Sequence, residues 1–395
     1  MAGTRGTQGM EGTENYDAAS GAASALPNGK PRSVDVREIE DAISQLHKEH
    51  RDTGARAYIL NLLVFTSNRA LVERAHAISA QVRNMFPCRT IVMEADPAGD
   101  TMLDASVTAS PQSDAAVTGS SEQITLRAAG SAVAQLPAVV APILIPEIPV
   151  ALCWLGDVPF GLPVFDSLMN TVDQLIVDSA QFAHPIATVE RMHTMAGDQW
   201  SGVTFNDLAW ARLLAWREAT AQFFDPPATR PALDTIQRVT VTFAATPGAA
   251  TNPTEVLLYT GWLASRLGWD AVPGLRRVGR DLMLVMRHGD APVIVEGVTQ
   301  QADAAHNGEL LGVTLTADGS DGTMIFHLTL DATQREFRAT TTQNGQTLDT
   351  HTLPGEERSA GDMVCDIVGA VRRDGVYEQS LDFVVRLAGS DIAGR

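Results

Sequence analysis

Ala57 to Phe65, AYILNLLVF, decides how the rest of the chain is read. It is a continuous apolar run of strand length, as in a strand buried on both faces of a parallel sheet. Asn68 stands where it can cap a helix over Arg69 to Met85, and Cys88 to Glu94 supplies a second strand. Strand, helix and strand in that order imply a parallel sheet with helices on its faces. Upstream, Val36 to His50 places Ile39, Ile43 and Leu46 at helical spacing. Residues 1–33 are rich in Gly, Ala, Ser and Thr and read as a disordered tail.

The same pattern continues downstream. Asp96 to Ser120 is poor in large apolar side chains and reads as a long irregular excursion, and Glu122 to Ala128 alternates like a strand. Ala132 to Leu155 is the most hydrophobic stretch. Pro137, Pro142, Pro146 and Pro149 break it and Glu147 sits inside it, which excludes a membrane span. A short buried helix, a turn and a central strand Val150 to Leu155 fit instead. Asp157-Val158-Pro159 follows that strand at its C-terminal end, where open α/β sheets place ligand crevices. Leu162 to Asn170 reads as a helix, Gln174 to Asp178 as a strand and Ile186 to Ala196 as a helix. Ile236 to Ala244 reads as a strand, and Thr254 to Leu267 as a helix ended by Gly268.

Between them lies Asn206 to Phe224, NDLAWARLLAWREATAQFF, which reads as one amphipathic helix. Ala209, Trp210, Leu213, Leu214, Trp216, Phe223 and Phe224 share a broad arc, Asn206 and Asp207 can cap the start, and Asp225-Pro226-Pro227 stops it. Arg217 projects inside the apolar arc. It is either a structural arginine bridging to an Asp with its stem on the tryptophans, or an anchor at a protein interface.

From about Leu275 the grammar changes. Asp281–Arg287, Val293–Val298, Glu309–Thr316, Thr323–Leu330, Glu336–Thr342 and Thr347–Leu353 are β-rich, with turns at Asp318-Gly319, Asp321-Gly322 and Asn344-Gly345. Helices follow over Ser359–Val371 and Tyr377–Leu387. The expected class is α/β: a mostly parallel open sheet flanked by helices over 34–270, then a smaller antiparallel β-rich domain with terminal helices over 275–395.

Composition narrows the function. A hydrophobic content of 45% excludes a mostly disordered chain, and a net charge of −18 should repel nucleic acid and anionic lipid. Cys88, Cys153 and Cys365 lie far apart with no CxxC spacing, and no secretory signal stands at the N-terminus, so a reducing cytoplasm is expected. GxGxxG, GxxxxGK[ST], HExxH and GxSxG are all missing. His184 and His193 have the wrong spacing for a metal pair on one helix face. Asp157, Asp173 and Asp178 could form a carboxylate pair, against the blander reading of caps and partners for Arg217. Cys153 beside Trp154 is apolar in context and reads as inert. No cofactor, metal or catalytic residue is expected. All six tryptophans fall between 154 and 269, as a core or as an exposed patch.

Several blocks resemble the glucose-6-phosphate dehydrogenase assembly protein OpcA family: ARAYILNLLVF (55–65), PCRTIVMEADP (87–97), EQITLRAAG (122–130), LPAVVAPILIPEIPVALCWLGDVP (136–159), VDQLIVDSAQF (172–182), DLAWARLLAWRE (207–218) and GWLASRLGW (261–269). The resemblance implies a non-catalytic partner of the glucose-6-phosphate dehydrogenase oligomer, promoting its assembly or activation in the oxidative pentose phosphate pathway, and two domains, α/β then β-rich. Trp154, Asp157, Trp210, Arg212, Trp216 and Arg217 are then the candidate partner-binding or structural residues. Two positions depart from the family. Cys153 replaces the first of a tryptophan pair, and Ser121 stands where some relatives carry cysteine, so thiol control is not carried over. The competing readings are an enzyme acting on a sugar phosphate or nucleotide in the crevice after Val150–Leu155, and a metabolite sensor using that crevice.

Overall fold

The computed structural model describes residues 31–49, 57–111, 120–272, 274–302, 305–331, 335–355, 358–370 and 373–388. The first sheet contains β1 (Arg32–Val34), β2 (Leu60–Thr66), β3 (Cys88–Asp96), β4 (Met102–Pro111), β5 (Ser120–Ala129), β6 (Val150–Leu155), β7 (Gln174–Val177) and β8 (Thr204–Asp207). Their spatial order is β1-β4-β5-β3-β2-β6-β7-β8. The run from β5 to β8 is parallel, and antiparallel β4 and β1 extend one edge. Every residue of β2 and β6 is buried, as their apolar runs predict. Alternate side chains supply the two faces. Leu63, Phe65, Leu152 and Trp154 join one core, and Leu62, Val64, Ala151 and Cys153 the other.

Helices cover both faces: α1 (Ile39–Glu49), α2 (Val72–Met85), α3 (Leu136–Val140), α4 (Pro163–Met169), α5 (Pro185–Asp198), α6 (Leu208–Arg212), α7 (Leu214–Gln222) and α8 (Thr254–Leu267). Asn68 caps the turn that leads into α2, its Oδ1 accepting from Ala70 N at 3.0 Å. Gly268 ends α8 in the left-handed conformation at φ 67°.

The second sheet holds β9 (Ile236–Ala245), β10 (Asp270–Ala271), β11 (Arg276–Val278), β12 (Asp281–His288), β13 (Ala291–Gln301), β14 (Leu310–Gly319), β15 (Gly322–Asp331), β16 (Glu336–Gln343) and β17 (Gln346–Pro354). Asn344 and Gly345 both take positive φ, 49° and 80°, as the two-residue hairpin between β16 and β17 requires. The sheet is mostly antiparallel, but β9 lies inside it, parallel to β13 and antiparallel to β14. The last helices, α9 (Ala360–Ala370) and α10 (Gly375–Ala388), return to the first layer. There α9 packs on α2, and α10 packs on α8 and α5. Gly261 makes the second contact possible, since a Cβ there would stand 2.6 Å from the Ser380 carbonyl oxygen.

Three local expectations are corrected. The stretch 96–120 is not irregular: Met102–Pro111 is a strand, held between β1 and β5 by backbone pairing with small side chains, while 112–119 lie outside the described residues. Of the expected tail, 1–30 lie outside the described residues and Arg32–Val34 form the edge strand. The helix read over 206–224 is two helices broken at Leu213 (φ −72°, ψ −5°), and Asn206 and Asp207 end β8. Asp207 still caps, its Oδ1 accepting from Ala209 N at 2.9 Å. The break fully buries Leu213 and lets the two short helices aim their tryptophans in different directions.

Candidate functional site

Two concave regions flank the C-terminal ends of the parallel strands. The first opens between β2 and β6, where the strand order reverses, and encloses about 750 Å³. Its floor is the ring of Trp154, stacked on Phe65 at 3.9 Å and met edge-on by Phe165 at 5.0 Å. Trp154 Nε1 donates to the Asp157 carbonyl at 2.9 Å, and Asp157 Oδ1 accepts from Ala183 N at 2.8 Å. Trp154 therefore forms the floor of this crevice and Asp157 its rim, the latter where the sequence position after β6 suggests. Ser67, Asn68, Ser131 and Gln181 give the lining its neutral polar groups.

The second is a cleft of about 1280 Å³ between the first sheet and the second. A chain of charges crosses it. Arg74 and Arg212 both donate to Asp178, at 2.6 and 2.5 Å. Arg212 Nε donates to Glu255 at 2.9 Å, His306 Nε2 meets the same carboxylate at 3.1 Å, and His306 Nδ1 meets Glu309 at 2.9 Å. Asp178 and Glu255 are 1% and 3% exposed, so each must be paired to remain charged. Burial pushes the Asp178 carboxyl up, but Arg212 and Arg74 outweigh it and hold it at about 2. Burial pushes the His306 imidazole down, but Glu255 and Glu309 outweigh it and carry it to about 9. Next to this chain, burial lifts Asp207 to about 6 against the hydrogen bonds it accepts from Ser179.

The tryptophan–arginine block divides around this cleft. Trp216 is 5% exposed and meets Phe337 of β16 edge-on at 4.8 Å, tying α7 to the second sheet. Trp210, also 5% exposed, points the other way, with Nε1 donating to Asp374 at 2.7 Å. The Arg217 guanidinium lies over the Trp210 ring at 3.6 Å, and burial lowers it to about 10 despite the carboxylates of Asp374 and Glu218. Asp178 takes its cations from Arg212 and Arg74 rather than from Arg217. Trp154, Trp200, Trp210, Trp216 and Trp269 are each at most 5% exposed, so they build a core and not a surface patch. His184 and His193 lie apart, and His193 pairs with Asp382 at 2.6 Å. Among the described residues no cluster of three His, Cys, Asp or Glu side chains could hold a metal ion. All three cysteines are buried and free, and burial pushes Cys88 and Cys153 up to about 12.

Arg74, Glu255, His306 and Glu309 were not singled out from the sequence. Glu255 alone left a trace, as a carboxylate in the first turn of an otherwise apolar helix.

A reversed parallel sheet with an aromatic-floored crevice, joined through charged pairs to a second, mostly antiparallel sheet, defines a two-sheet α/β protein with candidate surfaces at both strand ends. Family models identify which one. The model described as the glucose-6-phosphate dehydrogenase subunit N-terminal domain matches residues 77–194, and that of the C-terminal domain matches residues 203–381. The chain belongs to the OpcA family of glucose-6-phosphate dehydrogenase assembly proteins. A relative named as OpcA of the OxPP cycle in Synechococcus elongatus is 31% identical over 202 residues, covering 50% of this chain and 44% of the relative. Another, from Nostoc punctiforme, is 34% identical over 151 residues, covering 38% of this chain and 31% of that protein. The matched stretches thus span less than half of these relatives' lengths. Among solved structures, a 3-ketoreductase of Actinomadura kijaniata is similar at 11% identity and a TM-score of 0.47, covering 84% of this chain and 96% of that one. At that level the likeness supports no functional argument. Among the described residues no helix is long and apolar enough to cross a membrane.

Proposed function

We propose that this chain is a non-catalytic partner of glucose-6-phosphate dehydrogenase that binds the enzyme's oligomer and favours its active form in the cytoplasm. The observation that carries this reading is the succession of family matches, N-terminal then C-terminal, across both sheets. The electrostatics of the cleft support it. Asp178, Arg212, Glu255, His306 and Glu309 satisfy one another, so the charges there act as a brace between the sheets rather than as a free acid and base. Trp210 and Trp216 then act by holding the shape that the enzyme meets, since their apolar surface is already buried in this chain, and Arg212 and Arg217 act through the carboxylates and the ring they hold. Trp154 and Asp157 fix the floor and the rim of the crevice in the same way.

Activation requires that the chain bind one state of the dehydrogenase better than the other, and a coupling of about 1–3 kcal/mol changes apparent affinity by roughly 5–150-fold. The test is co-elution of the purified chain with the dehydrogenase on a sizing column, with activity measured with and without the chain. Co-elution with raised activity supports the proposal. Unchanged dehydrogenase behaviour, or turnover of a sugar phosphate by this chain alone, defeats it.

A further inference from the structure

The second sheet buries one face and leaves the other bare. Leu284, Val295, Val239, Leu315, Phe326 and Ala339 point into the core at 0 to 1% exposure. The alternate residues form a second surface in cross-strand register. Val285, Ile294, Arg238, Thr316, Ile325 and Thr342 make one row, each paired with the next from β12 to β16. Met283, Glu296, Thr240, Thr314, His327 and Thr340 make the neighbouring row. Each of these side chains is partly or fully exposed, with Val285 at 38%. β-branched and apolar side chains in flat rows are what a sheet presents when it packs on another sheet.

We propose that this open face is covered by a second copy of the chain, sheet against sheet, as an isologous dimer. Two observations favour a second copy. The first is size. Strands about 4.8 Å apart and about 3.3 Å per residue give the β12-to-β17 face on the order of 800 Å², close to the roughly 800 Å² per partner of a standard stable interface. The second is charge. The whole chain carries −18, which opposes self-association over most of its surface. The middle of the bare face is exempt. Its acidic side chain, Glu296, is paired with Arg238 at 2.6 Å, while Asp281, Asp318, Asp331 and Glu336 stand near strand ends at the margin, together with Arg287 and Arg338. The middles of two such faces meet without burying an unpaired carboxylate, and a two-fold axis through the centre brings Thr240 and Thr314 near their counterparts, where hydroxyls can bond to one another or to shared water.

The experiment is light scattering on a sizing column and sedimentation of the full chain, alone, from about 1 to 50 µM. A species at about twice 42.2 kDa is expected. Thr240→Glu with Thr314→Glu places carboxylates at the middle of the face without touching the core. It should give the monomer with an unchanged far-ultraviolet circular dichroism spectrum and a dissociation constant at least 100-fold weaker. A monomer throughout that range overturns the proposal, as does a dimer that survives both substitutions. Adding the dehydrogenase to the same samples separates the remaining occupant. If hydrogen exchange at β9 and β14 slows only when the enzyme is present, the face belongs to the enzyme and not to a second copy. The dimer stands or falls independently of activation.

Discussion

Replacing Arg212 with methionine removes the middle link of the charge chain while keeping most of its volume. Arg212 makes hydrogen bonds at 2.5 and 3.3 Å to Asp178 and at 2.9 Å to Glu255. Their loss does not leave either carboxylate entirely bare. Asp178 keeps Arg74 at 2.6 Å, and Glu255 keeps His306 at 3.1 Å and the Leu310 amide at 3.3 Å. Breaking a buried pair costs about 3–5 kcal/mol, and the surviving partners place Arg212→Met near the lower end, about 3 kcal/mol. At the roughly 2 °C per kcal/mol expected for a chain of this size, Tm falls by about 6 °C at pH 7 in low salt, as read by calorimetry. Adding Asp178→Asn removes one of the buried carboxylates that Arg212→Met leaves under-neutralised, so the double variant should lose less than the sum of the singles by at least about 1 kcal/mol. A shift in Tm under about 1 °C, or strict additivity, would refute the idea that Arg212 neutralises these carboxylates.

Four other outcomes follow from the same contacts. Trp210→Ala should cost about 3–5 kcal/mol, and Trp210→Phe about 1–2 kcal/mol through the Asp374 bond and the Arg217 stack, both measurable by urea unfolding. His306 has a folded pKa of about 9, above its free value near 6.5, so its contribution is complete below about pH 6.5 and disappears as pH rises through about 9. His306→Gln should flatten that alkaline decline in Tm; an unchanged profile counts against the assignment. Gly261→Ala should destabilise by about 1–3 kcal/mol despite alanine's better helix propensity, because the new methyl meets the Ser380 backbone. Asn344→Val should cost about 1–2 kcal/mol by equilibrium unfolding, since a β-branched residue resists the positive φ of that turn.

What the sequence disclosed follows from range. β2 and β6 were legible because both of their faces are buried, which leaves no polar alternation. The β16–β17 hairpin was legible because Asn344-Gly345 encodes its own turn. The crevice after β6 was legible because Asp157-Val158-Pro159 follows the C-terminal end of a buried strand, where open α/β sheets place their crevices. β4 escaped because backbone pairing between β1 and β5 holds it, without large side chains. The break at Leu213 escaped because the apolar periodicity runs through it unchanged. The pairing of β9 with β13 escaped because the partners lie far apart in the chain, and nothing local marks a strand for one sheet or the other. The charge chain escaped for the same reason: Arg212, Glu255 and His306 become neighbours only after both sheets have formed.

Because α9 and α10 fold back beside α2 and α8, the polypeptide is woven and not strung. Severing it near residue 270 would free neither half intact: the leading piece would lack the helices that shield α2 and α8, and would carry β9 torn from its sheet. Melting should accordingly register as a single event, and a partner that grips either layer can strain the other.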